Sequence, residues 1–537
     1  MKINLLKPES PFSTQQPASR AVINGSEDFY GACSIEKFQP GVGNLKNTHK
    51  DAQGFMDYVT KTKAGNFWLK DNDVQTWAYE EANDNWQDTY GADSVMAFYH
   101  VGHGNMDSNG VFEAPMGGIW DKRSRILSNA MSLGDEQVRY LFWSTCYSLR
   151  VLGIHNPVRT WNAANKGLRM IFGFETVSVD DPNYGKYFWE EWNKGKSFSK
   201  AWLDSSWRIS SQQAPSVCAT GATAEEAQKR LANERLFESA PGSNKFYNWT
   251  WYNTAPGTRS AVARGDGSLP VNPLAAVLAS ADAEALCYRL AATLGASKKK
   301  TANIAADIFG NFLLREKGLQ ITVGPDGRYD AHLAAVNFAN TRQLDPGKAR
   351  NIAENLLGDT TIGQNANLMY ANTIFRNSQG GSSAGSGKLD EAKVVETIVE
   401  FRQQIDGLQT VSNGSGVVRV GVDNDGKITS IHHSARPVLD LSSKARSFAP
   451  APGTNAVSRP ATAAELEQAF AEKLAQIRPG STAVQGRSTE NSPVLLQSEI
   501  GYDFFGDRGQ VVARRTYELD MGQGYKKMYK LQVPLLD

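Results

Sequence analysis

Across residues 28–253, short apolar runs alternate with longer amphipathic stretches. Phe29–Ile35, Phe67–Leu69, the run Ser94–Tyr99 continuing through Val101, Val138–Trp143 and Leu168–Phe174 are short, β-branched or aromatic, and bounded by Gly or polar residues. Runs of that kind predict buried strands of a parallel sheet. Between them, Asn47–Thr60 carries Phe55, Tyr58 and Val59 on one helical face. Asp181-Pro182 opens a second helix through Tyr187, Phe188 and Trp192, and Ser197 is a candidate N-cap for a third, with Phe198, Ala201 and Trp202. Strands alternating with helices predict an α/β fold with a mostly parallel sheet flanked by helices.

The pattern changes after residue 253. Ala275–Leu294, Ala302–Glu316, Leu389–Ile405 and Ala463–Ile477 read as helices. Leu319–Val323 turning at Gly324–Gly327, and Val417–Val422 turning at Asp423–Gly426, read as hairpins, since Asp-Gly between alternating runs is a hairpin signal. Val494–Tyr502, Gly509–Glu518 and Met528–Val533 supply further strands, so this half is predicted to be α+β. All twelve Trp lie between Trp68 and Trp251, which marks the same change in construction. The resulting division is an N-terminal extension (1–27), an α/β domain (28–253), a helix-plus-hairpin α+β region (254–377), a Gly/Ser linker (378–388) and a C-terminal α+β region (389–537). A Pro/Ser/Ala-rich stretch at 449–460 reads as a further break.

Composition narrows the classes. The 537 residues are 41% hydrophobic and 10% aromatic, enough for sizeable buried cores in a multidomain chain. Lys+Arg 57 against Asp+Glu 56 gives a net charge of +1, which argues against a nucleic-acid or membrane-surface protein. No apolar stretch approaches the roughly 20 residues of a membrane span. Met1–Pro8 lacks the features of a secretory leader. Cys33, Cys146, Cys218 and Cys287 are sparse and contain no C-x-x-C pair, so neither a disulfide framework nor a metal site is predicted. These features predict a cytoplasmic chain without a cofactor; a secreted mature form is the alternative.

The chemistry is concentrated beyond two strand ends. One apolar run leads into His103-Gly104, the other into Ser144-Thr145-Cys146. Open parallel sheets carry their sites just outside the carboxyl ends of the strands. A Cys and a His there form a nucleophile with its acid/base partner. Gly104, having no side chain, lets its N–H approach a substrate carbonyl and act as an oxyanion donor with the Cys146 N–H. His100 is the competing base, disfavoured because His103 has the adjacent glycine. Glu175, Asp180 and Asp181, after the fifth strand, are candidate substrate-binding acids, whose competing reading is a solvated loop. Cys33, Cys218 and Cys287 have no such partner and read as inert.

The order of these residues resembles the caspase–gingipain–legumain–separase superfamily of cysteine peptidases (clan CD). In that group a strand ends in His-Gly, and a later strand ends in small residues and Cys. Lys50-Asp51-Ala52 with Phe55 resembles the Asp-Ala opening of the first helix, and Phe172-Gly173-Phe174, Phe188, Gly195-Lys196-Ser197 and Ala201-Trp202 resemble the segment after the nucleophile in gingipain-like and CHAT-type members. The match spans about residues 28–210. The resemblance implies a caspase-like fold for 28–253 and a cysteine endopeptidase in which Cys146 is the nucleophile and His103 the acid/base. Ser144-Thr145 stands where caspases carry Gln-Ala, which argues against their Asp specificity; acids at 175, 180 and 181 would instead favour a basic P1 residue. The implied partner is a protein or peptide substrate. The C-terminal half resembles helix-plus-hairpin inhibitory modules of some bacterial peptidases, which implies a regulator of the N-terminal half; an adhesion or partner-binding role is equally open. Two other functions remain as alternatives: a non-catalytic binding or scaffolding protein on the same fold, and an acyltransferase or amidase using the same dyad.

Overall fold

The computed structural model describes Pro11 and residues 29–61, 65–254, 269–270, 273–297, 304–307, 309–384, 389–442, 462–477 and 492–535. Nearly all of the predicted N-terminal extension, the 449–460 break and most of the 254–273 junction lie outside these residues.

The fold is mixed α/β. Its centre is a five-strand parallel block in the order Phe67–Lys70, Tyr30–Ser34, Ala97–Val101, Tyr140–Ser144, Met170–Phe174. Successive residues of a strand face opposite sides, and the apolar runs fill both. Ala97, Tyr99, Tyr140 and Phe142 join one core with Phe55, Phe188 and Trp202. Phe98, Leu141 and Trp143 join the other with Tyr79, Phe112 and Trp161. On the first face, Thr48–Val59, Tyr184–Asn193 and Phe198–Ile209 pack as neighbouring helices. Ser197 caps the last of them, accepting from the Lys200 N–H. A small antiparallel sheet, Asn105–Met106 with Phe112–Trp120 and Arg123–Leu127, lies against the second face.

The expectation of a mostly parallel sheet holds only for this block. Pro215–Gly221 joins antiparallel to Met170–Phe174, and antiparallel pairing then continues through Phe246–Thr254, Leu368–Ser382, Lys393–Ile405 and Val417–Asp423 to Ile428–His433 and beyond, giving a 16-stranded sheet among the described residues. The sheet therefore runs through the change in composition at 253 without a break.

Three element predictions in the second half are corrected. Leu389–Ile405 contains a strand, Lys393–Ile405. Glu396 and Glu400, spaced as on a polar helix face, are instead buried in the sheet and neutralised by Arg376, Arg402 and Arg419. Ala302–Glu316, of which 302, 303 and 308 lie outside the described residues, forms no helix among the described ones. It contains the strand pair Ala305–Ala306 and Phe312–Glu316, with Asp307 accepting from the Phe309 and Asn311 N–H groups in the turn. Ala275–Leu294 divides into a strand, Ala275–Leu278, and a helix, Ala283–Thr293, capped by Asp282. In the predicted linker, Ser378–Ser382 are the end of the long strand Leu368–Ser382. The glycines there allow close approach: a Cβ at Gly381 would meet Leu389 at 2.7 Å and Trp249 at 3.2 Å. Residues 385–388 lie outside the described residues.

The C-terminal strands form a five-stranded sheet, in which Arg508–Asp520 pairs with Val494–Phe505, Lys526–Pro534 and Ala275–Leu278. Ala463–Ile477 covers it through Leu466 and Phe470. Among the described residues no helix is long and apolar enough to cross a membrane.

Candidate functional site

Register brings the two predicted residues to one end of the parallel block. Val101 and Ser144 are direct partners in adjacent strands, and His103 and Cys146 each lie two residues beyond them. The backbones then run close together. A Cβ on Gly104 would meet the Cys146 carbonyl oxygen at 2.6 Å, the Phe112 ring at 2.7 Å and Thr145 Oγ1 at 2.9 Å. Tyr147, the residue after Cys146, has φ +56°, a left-handed conformation that costs a non-glycine residue energy and is concentrated at functional turns.

His103 is fully buried, with Nε2 2.9 Å from the Gly43 carbonyl oxygen. A carbonyl can only accept, so Nε2 carries the hydrogen and Nδ1 carries the lone pair. Nδ1 has no hydrogen-bond partner. Phe38 and Tyr525 flank the ring at 4.8 and 5.9 Å between centroids. Burial, reinforced by the nearby Lys527 charge and opposed by the Gly43 hydrogen bond, pushes the imidazole pKa down to about 3, so the ring is neutral near pH 7. His100 is also buried, but on the opposite face of the sheet. It bonds the Tyr79 hydroxyl through Nδ1 at 2.7 Å and lies against Trp143.

Cys146 is buried among polar atoms rather than hydrocarbon alone. The Ser178 N–H donates to Sγ at 3.3 Å, Ser178 Oγ is 3.5 Å away, and the thiol donates to the Lys526 carbonyl at 3.1 Å. Burial raises the thiol pKa of Cys33 and Cys287 to about 12, and that of Cys218 also upward.

Asp51 ties the frame together. Its carboxylate accepts from the Tyr99 hydroxyl at 2.8 Å, the Gly185 N–H at 2.7 Å and the Ser144 hydroxyl at 2.8 Å. One buried side chain thus links the first helix, both central strands and the next helix; burial raises its pKa to about 7.

The three candidate substrate-binding acids separate. Glu175 is committed to the backbone: it accepts from the Val151 and Leu152 N–H groups and pairs with Arg150 at 3.5 Å. Asp181 accepts from the Asn183 backbone and side chain at a helix entrance. Only Asp180 borders the site. It accepts from the Lys46 N–H at 3.1 Å, and the Lys527 charge opposes the upward push of burial on its pKa. Elsewhere in the sheet, His433 is buried and stacked on Tyr329, and His432 bonds Asp330 at 3.0 Å.

Sequence reasoning missed Lys526, Lys527 and Ser178. Lys527 is 2% exposed, and its ammonium donates to Ser178 Oγ at 3.0 Å and the Gly102 carbonyl at 3.5 Å. Met528 pairs with the 178–180 segment through Met528 N–H to Ser178 O at 3.1 Å and Asp180 N–H to Met528 O at 2.9 Å. A separation of about 350 residues leaves no local signal for such contacts.

Residues 33–253 match a family model described as a domain of unknown function (DUF6345). The matched span contains His103, Cys146, Asp51 and Asp180, and ends well before Lys526. No curated protein and no solved structure matches the chain.

Proposed function

We propose that the 28–253 domain is a caspase-like cysteine peptidase that hydrolyses peptide bonds through Cys146 and His103, with a preference for a basic P1 residue. The observation that carries this reading is the fixed tautomer of His103. Gly43 holds the hydrogen on Nε2, which leaves Nδ1 as a bare, unpartnered base at the strand end next to that of Cys146. Nδ1 takes the thiol proton, and the thiolate attacks the substrate carbonyl carbon. The oxyanion is received by the N–H groups of Gly104 and Cys146, whose backbones lie in contact. The imidazolium then protonates the leaving amine, and water, deprotonated by the same ring, releases the acyl group and restores the thiol. The basic preference draws support from Asp180 and Ser178, which already accommodate a lysine side chain.

One observation favours the alternative of a non-catalytic binding protein: Cys146 has no exposed surface. A P1-varied fluorogenic peptide library separates the two, run on the full chain and on Lys527→Met. Hydrolysis after Lys or Arg that disappears with Cys146→Ala supports the peptidase. Hydrolysis retained in Cys146→Ala, or absent from both backgrounds, overturns it.

A further inference from the structure

A single short segment, far away in sequence, reaches both residues of the site. Tyr525 flanks His103, the Lys526 carbonyl accepts from the Cys146 thiol, and Lys527 reaches Ser178 and Gly102. Met528 pairs as a parallel strand with Ser178–Asp180, by main-chain bonds that any extended peptide could make.

We propose that Tyr525–Met528 is a built-in inhibitor strand that occupies the peptide-binding cleft, with Lys527 filling the pocket meant for a basic substrate side chain. The assignment of that cleft rests on the peptidase reading above. The geometry explains both occupancy and resistance to cleavage. Attack requires sulfur to approach the carbonyl carbon while the oxygen turns to N–H donors. At Lys526 the oxygen itself faces Sγ and accepts the thiol proton, so the contact is unproductive. A second brake is electrostatic. Forming a thiolate requires His103 to become positive, which its burial under the strand opposes first and the Lys527 charge opposes further.

The segment is anchored on both sides. It begins the strand Lys526–Pro534, which is paired along its length with Arg508–Asp520. The preceding turn brings Met521 and Tyr525 into a small core with Leu45, Leu519 and Tyr529, against Phe38 and Val42. Gly43, whose carbonyl orients His103, also donates its N–H to Met521 O at 2.6 Å. Gly522, at φ +89°, lets the turn come so near Gly41 O that a Cβ would collide with it. The loop that holds the base is therefore the loop that holds the inhibitor. Release of the strand would expose Cys146 while leaving the parallel block intact.

The test is the alkylation rate of each cysteine by iodoacetamide in the folded full chain, read by mass spectrometry. Lys527→Glu sets a negative charge against Asp180, and the milder Lys527→Met removes only the cation. We expect Cys146 labelling to rise at least about tenfold in Lys527→Glu and by less in Lys527→Met, with Cys33, Cys218 and Cys287 unchanged. An unchanged Cys146 rate in both variants, or a rise shared by all four cysteines, overturns the inhibitor strand. Failure of the peptidase reading looks different: Cys146 becomes accessible, but its labelling is indifferent to His103.

Discussion

The thiol of Cys146 donates to the carbonyl oxygen of Lys526 at 3.1 Å, across 380 residues of chain. That contact joins the end of a central parallel strand to the start of the last strand in the described chain. It also accounts for a cysteine that is both buried and surrounded by polar atoms. The sulfur sits at the edge of the apolar core, where a peptide segment meets it.

Gly104 is expected to tolerate no side chain. In Gly104→Ala the new methyl meets the Cys146 carbonyl and the Phe112 ring inside 2.8 Å, and backbone cannot yield cheaply. Overpacking of this kind costs about 1–3 kcal/mol, measurable as a lower urea midpoint. Any hydrolytic activity should fall with it, since the strain is centred on the Cys146 peptide.

Asp51 should matter more for stability than its position on a helix suggests. Asp51→Ala leaves the Tyr99, Ser144 and Gly185 donors buried without an acceptor. A loss of about 2–4 kcal/mol follows. Ser144→Ala removes one bond of the three and should cost about 1 kcal/mol. Chemical denaturation of the two variants checks the order.

Acid should weaken the fold partly through its buried histidines. The pKa of His433, like that of His100 and His103, is pushed down to about 3 by burial, against an ordinary value near 6.5. The unfolded chain therefore takes up these protons first. The stability each contributes is complete above about pH 6.5 and is lost as pH falls toward 3. Asp51 and Asp93, raised to about 7 and 8, pull the opposite way, so a difference between two proteins is the clean observable. His433→Phe retains the stack on Tyr329 and removes one titrating group. Relative to the variant, the wild type should lose up to about 1.4 kcal/mol per pH unit across that window. Parallel pH profiles would contradict the assignment.

The sequence made the site legible where it is local. The runs around Tyr99 and Phe142 have a length and composition that fit a doubly buried strand, and His103 and Cys146 follow directly. The β-branched run ending at Ile405 reads as a helix because Glu396 and Glu400 imitate a polar helix face, while Arg376 and Arg419, which help neutralise them, lie on other strands. Gly380 and Gly381 read as flexibility, although they serve close packing. Lys527 carried no signal at all: a lysine in a polar strand normally points to solvent, and only the fold brings this one beside Asp180. Glu175 failed for the converse reason, since a charge following a strand can be consumed by nearby backbone N–H groups.

The account depends on His103 acting as the base for Cys146. The most direct measurement is the pH dependence of Cys146 alkylation in Lys527→Glu, with and without His103→Ala. The account predicts that His103 sustains rapid labelling well below pH 8, where a free thiol is mostly protonated, and that His103→Ala shifts the profile to that of an ordinary thiol. Identical profiles in the two proteins would contradict it.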